Sequence, residues 1–290
     1  MPPQRVLEIT TNIGCRLRCS YCPQSTVVRA YHKEPDGGGA PRALLHTMTR
    51  ESFRAYIDTV PASVHIHFSG FSEPWHAEDC VEMIHIAHER GHTIAVFTTA
   101  DRMTAEDVSR LADIPFKRFL VHLPDGGGEM RKKVGAEYVS LLRLLASSAI
   151  HNLEYHTIGT PHPRIATELD AMWSTRRIQS RAGNVKCSST AVGVAFSAAE
   201  IAARNARTTL ICRKDRIFAN VLLPNGDVHL CSMDYGLEHR LGNLGDQTYQ
   251  EIATGPGFAR TLAALNDPDS DVLCRRCEYA LPGAYRGRDT

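Results

Sequence analysis

The stretch Gly14-Cys15-Arg16-Leu17-Arg18-Cys19-Ser20-Tyr21-Cys22 places three thiols close together, directly after the run from Arg5 to Thr10. That run reads as a buried strand delivering the chain into a cysteine loop. Three thiolates can each hold one iron of a four-iron cluster and leave the fourth iron open to a small molecule. A tetrahedral zinc site would ordinarily take a fourth protein ligand nearby, and His32 is the candidate closest in sequence.

Outward from this loop, strand-like and helix-like segments alternate. Thr49 can cap a helix from Arg50 to about Val60, its hydroxyl accepting from an otherwise unpaired N–H. Strands are expected at Val64–Ser69, Thr93–Thr98, Arg118–His122 and Asn152–Ile158, with a short one near Arg177–Gln179. Helices are expected near Glu78–Arg90, Ala105–Ala112 and Ala136–Ala149. Alternation of this kind argues for a parallel sheet with crossover helices. With the first strand it gives about six parallel strands, an α/β partial (β/α)6 barrel over residues 1–187. The triple glycines Gly37–Gly39 and Gly126–Gly128 read as mobile loops, since no phosphate-loop lysine follows either. Residues 188–210 form a linker, and residues 211–290 a small C-terminal unit. In it Pro224-Asn225-Gly226-Asp227, between Ile217–Leu222 and Val228–Leu230, signals a β-hairpin.

The length of 290 residues allows one large α/β domain with an appendage. A net charge of +1, from 33 basic and 32 acidic side chains, supplies no field that would hold the chain on nucleic acid or an anionic membrane. No apolar run reaches the roughly 20 residues of a membrane span, and the first residues lack a secretory signal. A cytoplasmic protein is therefore expected. In that compartment clustered cysteines bind metal or do chemistry more readily than they form disulfides.

A second set of thiols comprises Cys212, Cys231, Cys274 and Cys277, two flanking the hairpin and two forming a tight pair. Four thiolates close a coordination shell, and chemistry alone allows a structural zinc knot or a fully ligated iron-sulfur cluster. Of the remaining cysteines, Cys80 reads as a small buried apolar side chain on a helix. Cys187 follows Ser180-Arg181-Ala182-Gly183-Asn184.

The spacing of Cys15, Cys19 and Cys22, with an aromatic residue before the third cysteine, resembles the signature of the radical S-adenosylmethionine superfamily. The resemblance implies a [4Fe-4S] cluster whose open iron is chelated by S-adenosylmethionine (AdoMet), which is cleaved to a 5′-deoxyadenosyl radical. Tyr21 belongs to the cofactor site by the same implication. Gly70-Phe71-Ser72-Glu73-Pro74 resembles the family's Gly-Gly-Glu-Pro region, which implies that Gly70 and Glu73 hold the methionine amino group. Phe71 and Ser72 depart from that pattern. Phe97-Thr98-Thr99-Ala100-Asp101 resembles the ribose-contacting segment, implying cofactor contacts from Thr99 and Asp101; read alone, Asp101 or Thr104 is a helix cap. The segment from Ser180 resembles the one closing the sixth strand, which places Ser180 at the cofactor and Arg181 at cofactor or substrate. All lie at carboxyl ends of strands, where α/β sheets bind ligands.

The C-terminal cysteines and Gly226 resemble the twitch domain, a shortened SPASM domain, which implies one auxiliary [4Fe-4S] cluster. The whole chain resembles twitch-bearing enzymes that tailor aminoglycosides and related sugars, both dehydrogenases and epimerases. That implies a small-molecule sugar or aminocyclitol substrate, an electron donor such as flavodoxin or ferredoxin, and no nucleic-acid or membrane partner. Cys187, a thiol near the expected site, tilts the expectation toward epimerisation with Cys187 as hydrogen donor. Dehydrogenation, with the auxiliary cluster accepting an electron, is the alternative. Peptide modification and a metal-stabilised binding protein are the other readings.

Overall fold

The computed structural model describes residues 4–32, 46–169, 172–176, 182 and 198–285. Six parallel strands run in chain order: β1 (Val6–Ile9), β2 (His65–Phe68), β3 (Ile94–Thr98), β4 (Arg118–Leu123), β5 (Leu153–Ile158) and β6 (Trp173–Arg176). Between them lie α1 (Gln24–Tyr31), α2 (Arg50–Ile57), α3 (Cys80–Glu89), α4 (Ala105–Leu111), α5 (Ala136–Ser147) and α6 (Pro163–Leu169). The partial barrel expected from sequence is therefore present. The last strand ends at Arg176, whereas residues 177–179, expected to form it, lie outside the described residues.

Local chemistry sets these boundaries. Thr49 and Ser52 form a reciprocal capping box at the start of α2, and Thr104 and Asp107 do the same for α4, so the cap of α4 is Thr104 and Asp101 is left for other work. Each strand sends alternate side chains to one face. Leu7, Ile9, Ile66, Phe68, Val96, Phe119 and Val121 are fully buried with Phe53, Ile84, Leu111 and Leu142 from the helices. The opposite face carries Glu8, His67, Phe97, Arg118, Leu120, His122, Glu154, His156 and Ile158, and holds most of the strands' charged and imidazole side chains.

The C-terminal unit extends the same sheet. After α7 (Ala198–Asn205) and β7 (Leu210–Cys212), strand β8 (Ala219–Leu222) pairs parallel with β1, Glu8 standing opposite Val221. Strands β9 (Asp227–His229) and β10 (Arg240–Asn243) continue antiparallel, giving the order β10-β9-β8-β1-β2-β3-β4-β5-β6. In the β8–β9 hairpin the turn rests on Gly226 at φ +86°, where an added Cβ would meet Asn243 Oδ1 at 2.7 Å. Helices α8 (Tyr249–Thr254) and α9 (Pro256–Asn266) cover the far face, and β11 (Ala280–Pro282) pairs with β7. Arg5 fastens this unit to β1: its guanidinium lies 5.5 Å from the Phe218 ring centre and 5.2 Å from that of Phe258, and it donates to the Ala253 carbonyl.

Candidate active site and auxiliary metal centre

β1 delivers the chain into the cysteine loop as expected, and the strand's end is held by Thr10 N donating to Leu222 O at 2.9 Å. Cys15, Cys19 and Cys22 are each partly exposed. Burial pushes the Cys15 thiol up to about 12, with Glu73, Cys22 and Cys19 adding to the rise, so the three thiols and Glu73 share one neighbourhood. The Cys19 thiol is also raised by burial, against hydrogen bonds from Tyr21 and the Arg131 backbone. Tyr21 packs with Met130 and Ile158 beside Cys19 and Cys22.

The loop after β4 is the other wall of this site. Buried Asp125 accepts from Glu129 N at 2.7 Å and Met130 N at 3.0 Å. Gly126 N donates to Thr160 O, and Ser20 N donates to Glu129 O, both at 2.9 Å. Gly126–Gly128, read from sequence as a mobile loop, is thus a fastened turn beside the cysteine loop, because Thr160 O takes the Gly126 N–H and the Asp125 carboxylate holds the two residues that follow the glycines. Gly37–Gly39 lies outside the described residues.

Gly70 takes φ +56°, and a Cβ there would come within 2.2 Å of Thr10 Oγ1 and 2.9 Å of Thr10 Cα. Its requirement is close backbone approach to the end of β1; Phe71 N donates to Thr10 Oγ1 at 3.1 Å. Glu73 is buried and accepts from Thr98 Oγ1, from Thr99 N and Thr99 Oγ1 at 2.7 Å each, and from Trp75 N. Burial raises its carboxyl above the ordinary range even against these bonds. Thr99, expected at the ribose, here orients Glu73. Asp101 is bound by His76 Nε2 at 2.8 Å and Lys132 Nζ at 2.5 Å, and those bonds hold its carboxyl far below the usual range. His76, Lys132 and Asp125 were not singled out by sequence reading. Asp125 directly before three glycines was the available signal, whereas His76 and Lys132 converge on Asp101 only in three dimensions. Ser180, Arg181 and Cys187 lie outside the described residues.

The second set of thiols is buried: Cys212, Cys231, Cys274 and Cys277 line one cavity with Arg216, Met233 and Tyr279. Burial raises all three of Cys231, Cys274 and Cys277, the last to about 11, and neighbouring thiolates add to each rise. Asn205, from the segment read as a linker, donates to the carbonyls of Cys274 and Cys277 at 3.2 Å and fixes their turn. Among the described residues, no three Cys, His, Asp or Glu side chains crowd closely enough to ligate one bare ion. Thiols arranged around a shared cavity fit a larger group, an iron-sulfur cluster with one thiolate per corner iron. Three neighbouring thiols beside a buried carboxylate likewise fit a cluster with one open iron and an amino-bearing ligand. His32, the candidate fourth ligand, ends α1 and packs edge-on against Tyr31.

Among the described residues no helix is long and apolar enough to cross a membrane. Residues 212–278 match the family of SPASM iron-sulfur cluster-binding domains. No curated protein matches the sequence. In structure the chain is similar to BtrN in complex with AdoMet and 2-DOIA, with a TM-score of 0.61 at 17% identity over 96% of this chain and 94% of that one. It is similar to anSMEcpe with bound AdoMet, with a TM-score of 0.57 at 14% identity over 88% and 82%. Streptococcus suis SuiB bound to its precursor peptide SuiA gives 0.58 at 12% identity, over 96% of this chain and 71% of SuiB. The chain shares the fold of these AdoMet-binding structures, and residues 212–278 match the SPASM iron-sulfur cluster-binding domain family.

Proposed function

We propose that this chain takes hydrogen from a C–H bond of a small polar molecule of the sugar or aminocyclitol class and oxidises a carbinol carbon to a carbonyl. The observation carrying this reading is the placement of the two sets of cysteines along one strand pair. Cys15, Cys19 and Cys22 follow the carboxyl end of β1. Cys212 and Cys231 lie at its amino end, because Val6 pairs with Ala219 at the start of β8 and β9 runs back antiparallel toward Cys231. The charged face of the sheet spans the interval.

AdoMet and the two clusters, when bound, supply a hydrogen-abstracting carbon radical at one end and a one-electron acceptor at the other. The residues do the positioning. Glu73, fixed by Thr98 and Thr99, is poised for the methionine amino group, and Gly70 brings its loop against Thr10. Tyr21 and Met130 cover the cysteine loop from the side. On the charged face, Arg118 grips Glu154 bidentately at 3.0 and 2.6 Å, and its guanidinium lies 5.8 Å from the Phe97 ring centre. Burial and nearby cations lower His67 to about 3, so it stays neutral and offers hydrogen bonds without charge. Such a wall suits a hydroxyl-rich ligand, and BtrN is similar to this chain in fold and binds the small molecule 2-DOIA. A flavodoxin or ferredoxin as electron donor and a cytoplasmic setting belong to the same reading.

Removal of a hydrogen atom leaves a carbon radical; loss of the hydroxyl proton and one electron then gives the carbonyl. Anaerobically reconstituted protein with AdoMet, reductant and a panel of aminocyclitols and aminosugars should give 5′-deoxyadenosine and a product two mass units lighter. A second reading, epimerisation, is supported by the place of Cys187 in the sequence just after Ser180–Asn184, where its thiol could return hydrogen while Arg181 orients substrate. It predicts unchanged product mass in water, one deuterium gained in deuterated water, and loss of turnover in Cys187→Ala. Turnover of a peptide instead, the ligand class seen in SuiB, would overturn the small-molecule assignment.

A further inference from the structure

One cation lies between the auxiliary thiols and the charged face of the sheet. Arg216 belongs to the short 3-10 turn Arg216–Phe218 that leads into β8, and Asp215, at φ +51°, sets its entry. Its guanidinium has neighbours of two kinds. On the metal side it lines the cavity of Cys212, Cys231, Cys274 and Cys277, donates to Ser232 Oγ at 2.7 Å, and stands 5.2 Å from the centre of the Tyr279 ring. On the sheet side its Nη1 lies 3.7 Å from Glu8 Oε1, on the central strand β1. Both side chains are largely screened from water, at 30% and 11% exposure, so charge acts over short range with little attenuation.

We infer that Arg216 is the positioning charge that raises the reduction potential of the auxiliary cluster, and that Glu8 opposes it from the substrate side. A cluster gains negative charge on reduction, so a fixed cation beside it stabilises the reduced state and makes the cluster a better acceptor. An anion acts with the opposite sign. Because Glu8 projects from the face on which substrate is proposed to lie, a ligand that neutralises or displaces Glu8 leaves the cation less compensated, and the cluster then accepts an electron more readily. Substrate binding and electron acceptance are coupled through this pair. The inference rests on the auxiliary cluster and deepens the oxidative reading.

The test is an EPR-monitored redox titration of the full-length chain carrying Cys15→Ala, Cys19→Ala and Cys22→Ala, so that a single cluster titrates. Arg216→Gln should disfavour reduction about tenfold, a shift of 59 mV to lower potential for a one-electron couple. Arg216→Lys should restore most of it, and Glu8→Gln should shift the midpoint the opposite way. Equal midpoints in parent and Arg216→Gln, at equal iron content and with the same EPR line shape, overturn the inference. Should Arg216→Gln lose its cluster, Arg216→Lys and Glu8→Gln decide: a Glu8→Gln midpoint unmoved or lowered overturns it. A parent that takes up no iron in this background overturns the cluster itself, a failure distinct from an unmoved midpoint.

Discussion

Cys15, Cys19 and Cys22 sit partly exposed on a loop, braced by Tyr21, Met130 and the Asp125 turn. Cys212, Cys231, Cys274 and Cys277 are buried in the main core, between 5% and 8% exposed. The first site is open enough for a ligand to reach its thiols, and its rigidity comes from neighbouring loops. The second site brings four thiols together inside the main core. Metal at the first site should govern chemistry, and metal at the second should govern folding as well.

Separating those two roles gives the largest expected effect. Cys274→Ala should cost more than about 4 kcal/mol in denaturant unfolding of iron-loaded protein, the scale on which loss of a structural metal is felt. Cys19→Ala should abolish AdoMet cleavage and leave the unfolding free energy within about 1 kcal/mol of the parent. Similar losses of stability from both would erase the distinction.

Gly70→Ala probes the join between the cysteine loop's strand and the Glu73 loop. The added Cβ meets Thr10 side chain and backbone at a left-handed φ, so a loss of roughly 2–4 kcal/mol is expected. Chemical denaturation checks it, and a neutral result would show that the close approach to Thr10 is not required.

Glu73→Gln should act in two directions. Removing a charge-assisted partner weakens AdoMet by about 1.5–3 kcal/mol, roughly ten- to a hundredfold in Kd by calorimetry. The folded-state pKa of Glu73 is raised by burial, so its protonated form favours folding. That contribution is complete below the ordinary carboxylate range and is lost as pH rises through the raised value. Cofactor-free Glu73→Gln should therefore melt higher than the parent at neutral pH and match it in acid.

Asp101→Asn should cost about 1.5–3 kcal/mol in denaturant unfolding, since it leaves Lys132, 9% exposed, without its charged partner while His76 keeps a hydrogen-bond acceptor. The sign of its pH dependence is opposite. Its pKa is depressed, so its contribution is present above the ordinary carboxylate range and is lost as pH falls toward the depressed value. A melting curve of Asp101→Asn that tracks the parent only at the lowest pH checks this.

Much of the fold is legible in the sequence because its signals are local. Thr49 and Thr104 announce helix starts, the Asn225-Gly226 pair announces a turn, and Cys15, Cys19 and Cys22 stand close in the chain, as do Cys274 and Cys277. The pairing of β8 with β1 joins residues more than two hundred positions apart, and no periodicity encodes it. The same holds for Asn205 beneath Cys274, for His76 and Lys132 on Asp101, and for Arg216 against Glu8. Polar residues that converge from distant segments look like ordinary surface residues until the chain is folded. The Asp125 turn is intermediate: its glycines suggested mobility, and the aspartate that fastens the residues after them was the overlooked half of the signal.

The central claim is that one chain holds two unlike clusters, of which only the first meets AdoMet. EPR of the dithionite-reduced protein, with and without AdoMet, tests it most directly. Two overlapping signals from about eight irons per chain are expected, one of them altered by AdoMet and absent in Cys19→Ala, the other unaffected by either. Zinc-loaded protein without iron, or two signals equally indifferent to AdoMet, would contradict the account.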